Sequence, residues 1–429
     1  MQLNRSLRIF SSSHATAFVA FVVAYLIAIQ YFRVVSAPDP SSLFLDPERR
    51  YEQKYSLVRV KEADDFIARA WKEPELAKAS AKPFLCVGVP TVQRDGARYF
   101  KTLMGSMIDG LSDRERSEIF FMPFIANVDP NVHEAFNEPW LANVADRILT
   151  YETVSDEDRE RLRFLEDPTG HVQKALFDYT YSMQGCLNTT APYMLILEDD
   201  VISMDGWYSR TKAGLKAMEA KPEYHDSTYL RLFYNQGLQG WNSEFWPYYV
   251  FYSILWELFL ITVIYLLHRN SPAAARFLTP RTILVILFIC SPASVALYFA
   301  AGRVTVYPLR NGISKMNSYG CCSQAFVFPR EQVPPLIDFF NEVKVGFRDS
   351  LIEEYSDNRS MTRWALTPSV FQHIGTRSSK SVGSKNDQDV GAKNRWNWHF
   401  EAFNSEKLHK EHLALIASEI NQGFTPDEK

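Results

Sequence analysis

Three adjacent carboxylates follow an apolar segment in the middle of the chain. Residues 193–197 read Tyr-Met-Leu-Ile-Leu, a run that predicts a strand buried on both faces. The run ends in Glu198, Asp199 and Asp200, which repel one another unless a cation or a set of donors lies among them. Hard divalent ions prefer oxygen ligands, and open α/β sheets bind ligands at the carboxyl ends of strands. We therefore expect a Mn²⁺ or Mg²⁺ site here, with an acidic turn facing solvent as the alternative.

Composition and cysteine content limit the class of protein. The chain has 429 residues, enough for one large domain or two ordinary ones, and its net charge of −4 with no basic stripe argues against a nucleic-acid partner. Cys290 lies in an apolar segment, which leaves Cys86, Cys186, Cys321 and Cys322 as possible partners in an oxidising lumen. Three full pairings of these four are open. Because disulfide geometry strains a vicinal bridge, we expect Cys321 and Cys322 to pair elsewhere.

Three apolar segments are long enough to cross a membrane. Residues 15–35 are predicted to be an uncleaved signal anchor behind a basic tail, residues 1–14. Residues 245–302 contain two further spans, separated by a basic loop at 268–281. Glu257, in the first of these spans, is a charged residue in an otherwise apolar segment. The positive-inside rule places the tail and the loop in the cytosol and the rest of the chain in the lumen.

The remaining chain predicts a stem and an interrupted α/β domain. Residues 36–82 are predicted to be a luminal stem, 83–244 and 303–400 the two parts of the domain, and 401–429 a C-terminal tail. Alternating strand and helix patterns predict an α/β fold with a mainly parallel sheet. The predicted strands are 84–92, 118–127, 145–151, 193–197, 229–234 and 323–328, with strand-like sequence also resuming at Val304.

An N-terminal anchor, a stem, a luminal α/β domain and an acidic strand end together resemble a Golgi glycosyltransferase of the GT-A fold. In that fold the corresponding motif binds the ribose and a Mn²⁺ or Mg²⁺ that bridges a nucleotide diphosphate, which implies a UDP-sugar donor. The resemblance implies that Asp200 is the direct metal ligand, that Glu198 lies nearer the ribose and that Asp199 supports them.

A C-terminal block carries a second resemblance. Residues 368–379, Pro-Ser-Val-Phe-Gln-His-Ile-Gly-Thr-Arg-Ser-Ser, are similar to a block near the donor site of the N-acetylglucosaminyltransferase IV family. This implies that His373 contacts the metal or the pyrophosphate, with a structural histidine that caps a turn as the alternative. Residues 88–92 with Arg94 resemble the first nucleotide-binding strand of that group, which makes Arg94 a candidate diphosphate contact, with an exposed loop arginine that has no function as the alternative.

Further candidates follow from their positions. Asn127 and Asp129, at the end of the second strand, are candidate uracil or ribose contacts, although Asp-Pro turn chemistry explains Asp129 equally well. Lys174 is a candidate phosphate contact, with a solvated helix face as the alternative. Inverting sugar transfer needs a general base, which GT-A enzymes often place at the start of a C-terminal helix. Asp349 is the first candidate and Glu353 the second, against a surface acidic helix.

The insertion of a membrane hairpin into the domain resembles the post-GPI-attachment N-acetylgalactosaminyltransferase family. These are three-span Golgi enzymes that modify the first mannose of the GPI glycan after the anchor has been attached to protein. The resemblance implies transfer of a sugar, GalNAc in that family, from UDP to the glycan of GPI-anchored proteins at a lipid bilayer. An N-glycan or glycolipid acceptor and a non-catalytic membrane scaffold are the alternatives. The acidic triplet and the Phe-Gln-His block argue against a scaffold, which needs neither.

Overall fold

The computed structural model describes residues 12–422, apart from 74–75, 95, 168, 319 and 377–395. Parts of three predicted segments lie outside the described residues: the cytosolic tail up to residue 11, the end of the Phe-Gln-His block from residue 377, and the C-terminal tail from residue 423. The chain divides into two compact units. The helical unit comprises Met1–Tyr51 and Gln236–Pro308, and the α/β unit comprises Glu52–Asn235 and Leu309–Lys429.

Helices and strands are numbered along the chain. The α-helices of the described residues are α1 (Ser13–Val35), α2 (Pro47–Arg50), α3 (Tyr55–Ala70), α4 (Tyr99–Ile108), α5 (Asp113–Ser117), α6 (Pro139–Val144), α7 (Asp156–Leu165), α8 (His171–Leu187), α9 (Trp207–Glu219), α10 (Trp246–Asn270), α11 (Pro272–Phe277), α12 (Pro280–Val285), α13 (Ser291–Ala300), α14 (Arg303–Val306), α15 (Val333–Val343), α16 (Arg348–Asn358), α17 (Trp398–Glu401) and α18 (Ser405–Gln422). The strands are β1 (Leu85–Thr91), β2 (Ile119–Ile125), β3 (Tyr193–Leu197), β4 (Val201–Ser203), β5 (Ser227–Arg231), β6 (Gly312–Lys315), β7 (Ala325–Pro329), β8 (Thr362–Thr367) and β9 (Phe371–His373).

The helical unit contains the segments predicted to span a membrane. Three stretches of the described chain are helical, long and apolar enough to do so: Ser13–Val35, Gln236–Asn270 and Pro280–Ala300. The first and third contact each other, since the Tyr25 hydroxyl donates to the Ala293 carbonyl at 3.2 Å. Glu257 accepts a hydrogen bond from Ser291 on the following span at 2.5 Å. A charge inside an apolar span is costly without a partner, so this pairing explains how Glu257 is accommodated.

The α/β unit is built on a sheet. Its described strands lie in the order β2-β1-β3-β7-β5-β8-β6. β1 is parallel to β2 and β3, and β5 is parallel to β8. β7 is antiparallel to β3 and β5, and β6 is antiparallel to β8. All of these strands except β6 and β7 therefore run in one direction, which confirms the predicted α/β class with a mainly parallel sheet. A separate ribbon pairs β4 with β9.

Apolar cores cover the two faces of the sheet. On β1, Leu85, Val87 and Val89 face one core and Cys86 faces the other, as the pleat of a strand requires. Side chains of α3, α4, α6 and α9 complete the first core, and those of α8, α15 and α16 complete the second. Because helices cover both faces, β3 is buried along its whole length, which explains its uninterrupted apolar sequence.

The predicted strand at 145–151 is wrong. This segment lies along β2 but pairs with it through an isolated bridge between Leu149 and Phe124. The Leu149 N–H donates to the Pro123 carbonyl, and the Ile125 N–H donates to the Leu149 carbonyl. The next rung needs an N–H from Pro123, which proline lacks, so the ladder stops there.

The chain also does not resume as a strand at Val304, as the sequence suggested. It forms the short helix α14. The backbone N–H and the hydroxyl of Thr305, in the first turn of this helix, both donate to the carboxylate of Asp39. An acceptor at the first turn satisfies N–H groups that a helix leaves unpaired, and this stabilises helix over strand.

Segments predicted to lie outside the α/β domain pack within it. α3, in the predicted stem 36–82, buries Phe66 and Ile67 in the first core. α18, in the predicted tail 401–429, buries Leu408 there. Each helix carries an apolar stripe on one face, and a stripe indicates burial without indicating the partner. These helices therefore belong to the α/β unit and not to a separate stem or tail.

The expectation that Cys321 and Cys322 pair elsewhere is wrong. They form a disulfide with each other, and Cys86 pairs with Cys186 at a Cα–Cα distance of 5.7 Å. Cys86 on β1 and Cys186 on α8 are fully buried side by side in the second core. Cys86 and Cys186 are therefore bonded to each other, and Cys290 is buried in the helical unit. This leaves Cys321 and Cys322 as the remaining pair.

Candidate active site

Segments from three strands meet at one edge of the sheet. Because β1 and β3 are parallel neighbours, their carboxyl ends lie side by side, and the antiparallel β7 begins at the same edge. The loop after β1 carries Arg94, residues 198–200 follow β3, and Ser323 and Gln324 precede β7. The acidic triplet therefore faces residues from both neighbouring strands.

Both carboxylate oxygens of the buried Asp199 accept hydrogen bonds. Oδ2 accepts from the Thr91 hydroxyl at 2.7 Å, and Oδ1 accepts from Nη2 of Arg94. Burial raises the pKa of Asp199 above its ordinary value, because a carboxylate loses hydration there. With both oxygens engaged, Asp199 is arranged to hold Arg94 in place.

Asp200, in contrast, has one engaged oxygen and one open oxygen. Oδ2 accepts from Nη1 of Arg94 at 3.1 Å and lies 3.5 Å from Nε2 of His373. Oδ1 is buried and receives no hydrogen bond from any described residue, and Nδ1 of His373 is likewise without a partner among them. Burial opposes ionisation of Asp200, but His373 and Arg94 outweigh it and hold the pKa of Asp200 well below its usual range. A buried polar atom without a partner requires an explanation, and a bound ion or water molecule is one such explanation.

The β4–β9 ribbon places His373 beside the triplet. His373 pairs with Val201, the residue that follows Asp200. The Ile374 N–H donates to the Asp200 carbonyl at 2.9 Å. A Cβ at position 375 would lie 2.5 Å from Oδ2 of Asp200, so the close approach of this segment requires Gly375. The predicted metal candidates, Asp200 and His373, are therefore brought together by the fold.

Glu198 contacts the other side of the site. Its Oε1 accepts from the Ser323 hydroxyl at 2.6 Å and from Nη2 of Arg348 at 2.9 Å, and Nε2 of Gln324 donates to Oε2 at 3.3 Å. Sequence analysis missed Arg348. Its position beside Asp349 in a predicted helix was the available signal, and the contact with Glu198 depends on how that helix packs.

Asp349, the first candidate general base, lies in the first turn of α16 and is half-buried. Its Oδ2 accepts from the Cys322 N–H at 3.1 Å, and Oδ1 accepts from the Ser350 N–H at 2.9 Å. The preceding residue, Arg348, contacts Glu198. The start of α16 therefore places Asp349 near the same sheet edge as the triplet.

Glu353, the second candidate base, has a structural environment. Its side chain is 9% exposed, and its Oε1 accepts from Nη2 of Arg231 at 2.7 Å and from the Tyr229 hydroxyl at 2.6 Å. Its Oε2 lies 2.6 Å from Nε of Arg363. A general base must reach the acceptor hydroxyl, whereas this carboxylate is buried between two guanidinium groups and a hydroxyl. The helix turns Glu353 into the interior, so the structure does not support it as the base.

The candidates after β2 make backbone contacts. Oδ1 of Asn127 accepts from the Gln93 N–H at 3.0 Å and so joins the end of β2 to the loop after β1. Asp129 is exposed, and its Oδ1 accepts from the Asn131 N–H at 3.0 Å, which caps the 3₁₀-helix Pro130–Val132. Asn127 therefore lies beside the candidate site, and Asp129 has the turn role that its Asp-Pro sequence also predicted.

Lys174 is not available for a phosphate. It is buried, and its ammonium group donates to the Ala126 carbonyl, to the Tyr151 hydroxyl at 2.9 Å and to Asp178 at 2.9 Å. These contacts use all three N–H donors of a lysine. The predicted phosphate contact is therefore replaced by a buried structural ion pair, and the alternative of a solvated helix face is also wrong.

Sequence analysis also missed Thr91 and His133. Oγ1 of Thr91 lies 3.2 Å from Nε2 of His133. Both line a cleft beside Asp199 that opens to solvent. A hydroxyl at the end of the predicted first strand was visible in the sequence, but nothing in the sequence connects it to a histidine 42 positions later.

The comparison with known proteins assigns the class. The sequence model of the family described as GPI-N-acetylgalactosamine transferase PGAP4 matches residues 85–372, about two thirds of the chain. The chain belongs to this family. The match begins at the first residue of β1 and ends within β9, so it includes the acidic triplet, Arg94, Asp349 and the membrane hairpin. The predicted family is confirmed, and the protein is a glycosyltransferase.

The described residues contain no group of three or more histidine, cysteine, aspartate or glutamate side chains arranged to hold a metal ion. Asp200 and His373 form a pair. Mg²⁺ is usually bound through one or two protein carboxylates, with substrate phosphates and water as the other ligands. A two-residue site therefore suits an ion that shares its coordination with a substrate.

Proposed function

We propose that this transferase moves N-acetylgalactosamine from UDP to a mannose of the GPI glycan on GPI-anchored proteins, in a GT-A-type site at the carboxyl end of β3. The observation that carries the proposal is the open Oδ1 of Asp200 beside His373, in a cluster that also holds Arg94. A guanidinium attracts phosphate, and an ionised carboxylate attracts a divalent cation. Membership of the GPI-N-acetylgalactosamine transferase family supports the sugar and the acceptor.

Asp200 and His373 fit a Mn²⁺ or Mg²⁺ ion. A buried carboxylate oxygen and a buried imidazole nitrogen, neither with a partner among the described residues, are atoms that can serve as ligands. When bound, such a cation neutralises the charge that develops on the departing UDP. Asp199 supports the pair by holding Arg94, and Glu198 is assigned to the ribose side of the donor.

Arg94 is assigned to the donor diphosphate. It is a cation with contacts to both Asp199 and Asp200, and it lies in the loop that lines the cleft. Asn127, which follows the neighbouring strand β2, is assigned to the uracil or the ribose, whereas Asp129 keeps its turn-capping role. Since β1 and β2 are parallel, both loops lie at the same edge of the sheet.

Asp349 is assigned as the general base of an inverting transfer. The Cys322 and Ser350 N–H groups orient its carboxylate, and no described side chain forms an ion pair with it. As the acceptor hydroxyl oxygen bonds to the anomeric carbon, the bond from that carbon to the diphosphate breaks. The hydroxyl proton passes to Asp349, and UDP leaves with the bonding electrons. Attack opposite the leaving group inverts the anomeric configuration.

We assign the α/β unit to the Golgi lumen. Its described cysteines are paired as Cys86–Cys186 and Cys321–Cys322, which is typical of an oxidising compartment. Three candidate spans and the basic loop between the second and third support a multi-pass protein with a cytosolic N-terminus. GPI carries its lipid in the bilayer, so holding enzyme and acceptor in one bilayer lowers the entropic cost of their encounter.

UDP release by detergent-purified protein tests the proposal. The assay uses Mn²⁺, a panel of UDP-sugars and a GPI-linked acceptor, with Asp200→Asn as the site variant and Asp156→Asn, at a side chain 99% exposed, as the matched control. We expect turnover with UDP-GalNAc that chelation abolishes, that Asp200→Asn lowers about 100- to 1,000-fold and that Asp156→Asn retains. Absence of turnover with every UDP-sugar, or metal-independent turnover in Asp200→Asn, contradicts the proposal. Transfer to an N-glycan and not to GPI assigns a different acceptor.

A further inference from the structure

His133 is buried beside the candidate site, and the surroundings of its ring fix its tautomer. Nδ1 faces the Ala135 backbone N–H at 3.3 Å, and because that group can only donate, Nδ1 accepts. In the neutral ring the hydrogen is therefore on Nε2, which donates to Oγ1 of Thr91 at 3.2 Å. Burial lowers the pKa of His133 to about 4, so the ring is neutral near pH 7.

The direction of each following hydrogen bond is then set. Oγ1 of Thr91 accepts from His133, and its single hydrogen is donated to Oδ2 of Asp199 at 2.7 Å. The other oxygen of Asp199 accepts from Arg94, and the second terminal nitrogen of Arg94 donates to Asp200 at 3.1 Å. We call this series, from His133 through Thr91, Asp199 and Arg94 to Asp200, the relay.

We propose that His133 is a positioning residue that acts through the relay to hold Arg94 facing Asp200. The Thr91 hydroxyl oxygen accepts a hydrogen bond from Nε2 of His133, so the hydroxyl hydrogen points to Asp199. Asp199, fixed on one oxygen, holds Arg94 with the other. The consequence for catalysis rests on the proposed function, in which Arg94 contacts the donor diphosphate, whereas the relay itself is a property of the free protein.

Two pairs of substitutions separate the relay from the local structure around it. His133→Asn retains an acceptor for the Ala135 N–H but removes the donor to Thr91, while His133→Gln retains an N–H donor near the position of Nε2. Thr91→Val removes the hydroxyl without changing the shape of the side chain, and Thr91→Ser retains the hydroxyl. If His133 only caps the turn, His133→Gln should perturb the protein more than His133→Asn. The relay predicts the reverse order.

Hydrogen exchange in the protein without substrate tests the relay directly. In peptides that cover residues 92–101, we expect exchange several-fold faster than the wild type in His133→Asn and Thr91→Val. The exchange rates of His133→Gln and Thr91→Ser should stay within about twofold of the wild-type rate, because these variants retain the buried hydrogen bond. Equal exchange in both members of each pair overturns the proposal.

Steady-state kinetics test the consequence. In His133→Asn and Thr91→Val we expect the KM for UDP-GalNAc to rise about five- to tenfold with kcat unchanged, since one buried hydrogen bond is worth about this factor in donor affinity. The conservative variants should restore the wild-type KM. A fall in kcat at unchanged KM, or an unchanged KM with altered exchange, overturns the positioning role. If the wild type uses no UDP-sugar, the proposed function fails, and the exchange data still decide whether the relay holds the loop of Arg94.

Discussion

Two buried clusters in the α/β unit combine histidine with carboxylates and differ in how completely their atoms are paired. In the first, His412 lies between Asp205 and Glu115, with Nδ1 at 2.7 Å from Oδ1 of Asp205 and Nε2 at 3.1 Å from both oxygens of Glu115. In the second, His373 lies beside Asp200. We call the first the closed cluster and the second the open cluster.

The closed cluster has a partner for each of its polar side-chain atoms. Glu115 also accepts from Ser112 and Ser209, and Asp205 accepts from His409. Because His412 faces carboxylates on both sides, both of its nitrogens donate. Burial lowers the pKa of His412, but the hydrogen bonds to Asp205 and Glu115 outweigh it and raise this pKa to about 9.

The open cluster leaves Oδ1 of Asp200 and Nδ1 of His373 buried without partners among the described residues. An unsatisfied buried polar group costs about 1–3 kcal/mol of folding free energy. The closed cluster therefore adds to stability, whereas the open cluster reduces stability and retains atoms that a ligand can use. The same residue types serve either purpose, and the matching of donors to acceptors decides which.

The largest expected effect is on stability, at a third buried cluster, in which Glu353 forms ion pairs with Arg231 and Arg363. Glu353→Ala leaves Arg231 buried without its carboxylate, while Arg363 retains the exposed Asp357, so we expect a loss of about 3–5 kcal/mol in the free energy of unfolding. Denaturant unfolding in detergent measures it. Glu354→Ala, at the exposed neighbouring position, is the control and should change stability by less than about 0.5 kcal/mol. A stable Glu353→Ala protein that lost activity would show that this glutamate acts in the reaction.

The next effect is on activity, at the open cluster. Asp200→Asn keeps the shape of the side chain and removes its charge, so we expect turnover to fall about 100- to 1,000-fold, equivalent to about 3–4 kcal/mol. The free energy of unfolding should fall by about 1–3 kcal/mol, because the lost charge also paired with Arg94 and His373. Parallel turnover and unfolding measurements check this. A variant that remained active but unfolded easily would make the cluster structural.

Sequence patterns predicted the parts of the molecule that depend on neighbouring residues. The apolar run before Glu198 identified β3, and its end placed the triplet at an edge of the sheet. The apolar segments identified the three candidate spans. Contacts between distant residues were not predictable. The ion pair between Glu198 and Arg348 joins positions 150 residues apart, and periodicity carries no information about such a pair.

Helical position alone also misassigned Lys174 and Glu353. Both lie on helices with mixed polarity, where the sequence does not show which charged residue turns inward. For Lys174 a signal existed, since Asp178 lies one turn later and forms the ion pair. For Glu353 the partners, Arg231 on β5 and Arg363 on β8, become neighbours only when the sheet forms.

The third expected effect is at the closed cluster and depends on pH. His412→Gln removes the charge between two buried carboxylates, so we expect a loss on the order of 2–3 kcal/mol in the free energy of unfolding at pH 6, with turnover unchanged. The folded pKa, about 9, lies above the ordinary value of 6.5. The contribution of the charge is therefore fully present below pH 6.5 and is lost as the pH rises through 9.

Unfolding measured from pH 6 to pH 10 tests this effect. The difference in the free energy of unfolding between the wild type and His412→Gln should decrease across that interval. His409→Gln is the control, because His409 contacts the same Asp205 from a side chain that is 59% exposed and should contribute less than about 1 kcal/mol. A difference that stays constant to pH 10 would show that His412 is neutral in the folded protein.

The smallest expected effect is at Glu115. Burial raises its pKa, but His412 and Ser209 outweigh burial and lower the pKa to about 2. Ser112 and Ser209 donate to different oxygens of Glu115, so Glu115→Gln retains an acceptor for one of them and removes the charge, and we expect a loss of about 1–2 kcal/mol at pH 7. Because the folded pKa lies below the ordinary 4.5, the contribution of the charge is present above pH 4.5 and is lost as the pH falls through 2.

The thermal midpoints of wild type and Glu115→Gln should therefore converge between pH 4.5 and pH 2. For His412→Gln the convergence occurs at high pH instead. Midpoints that stay equally far apart down to pH 2 would assign the stabilisation to packing and remove the electrostatic distinction between the closed and open clusters.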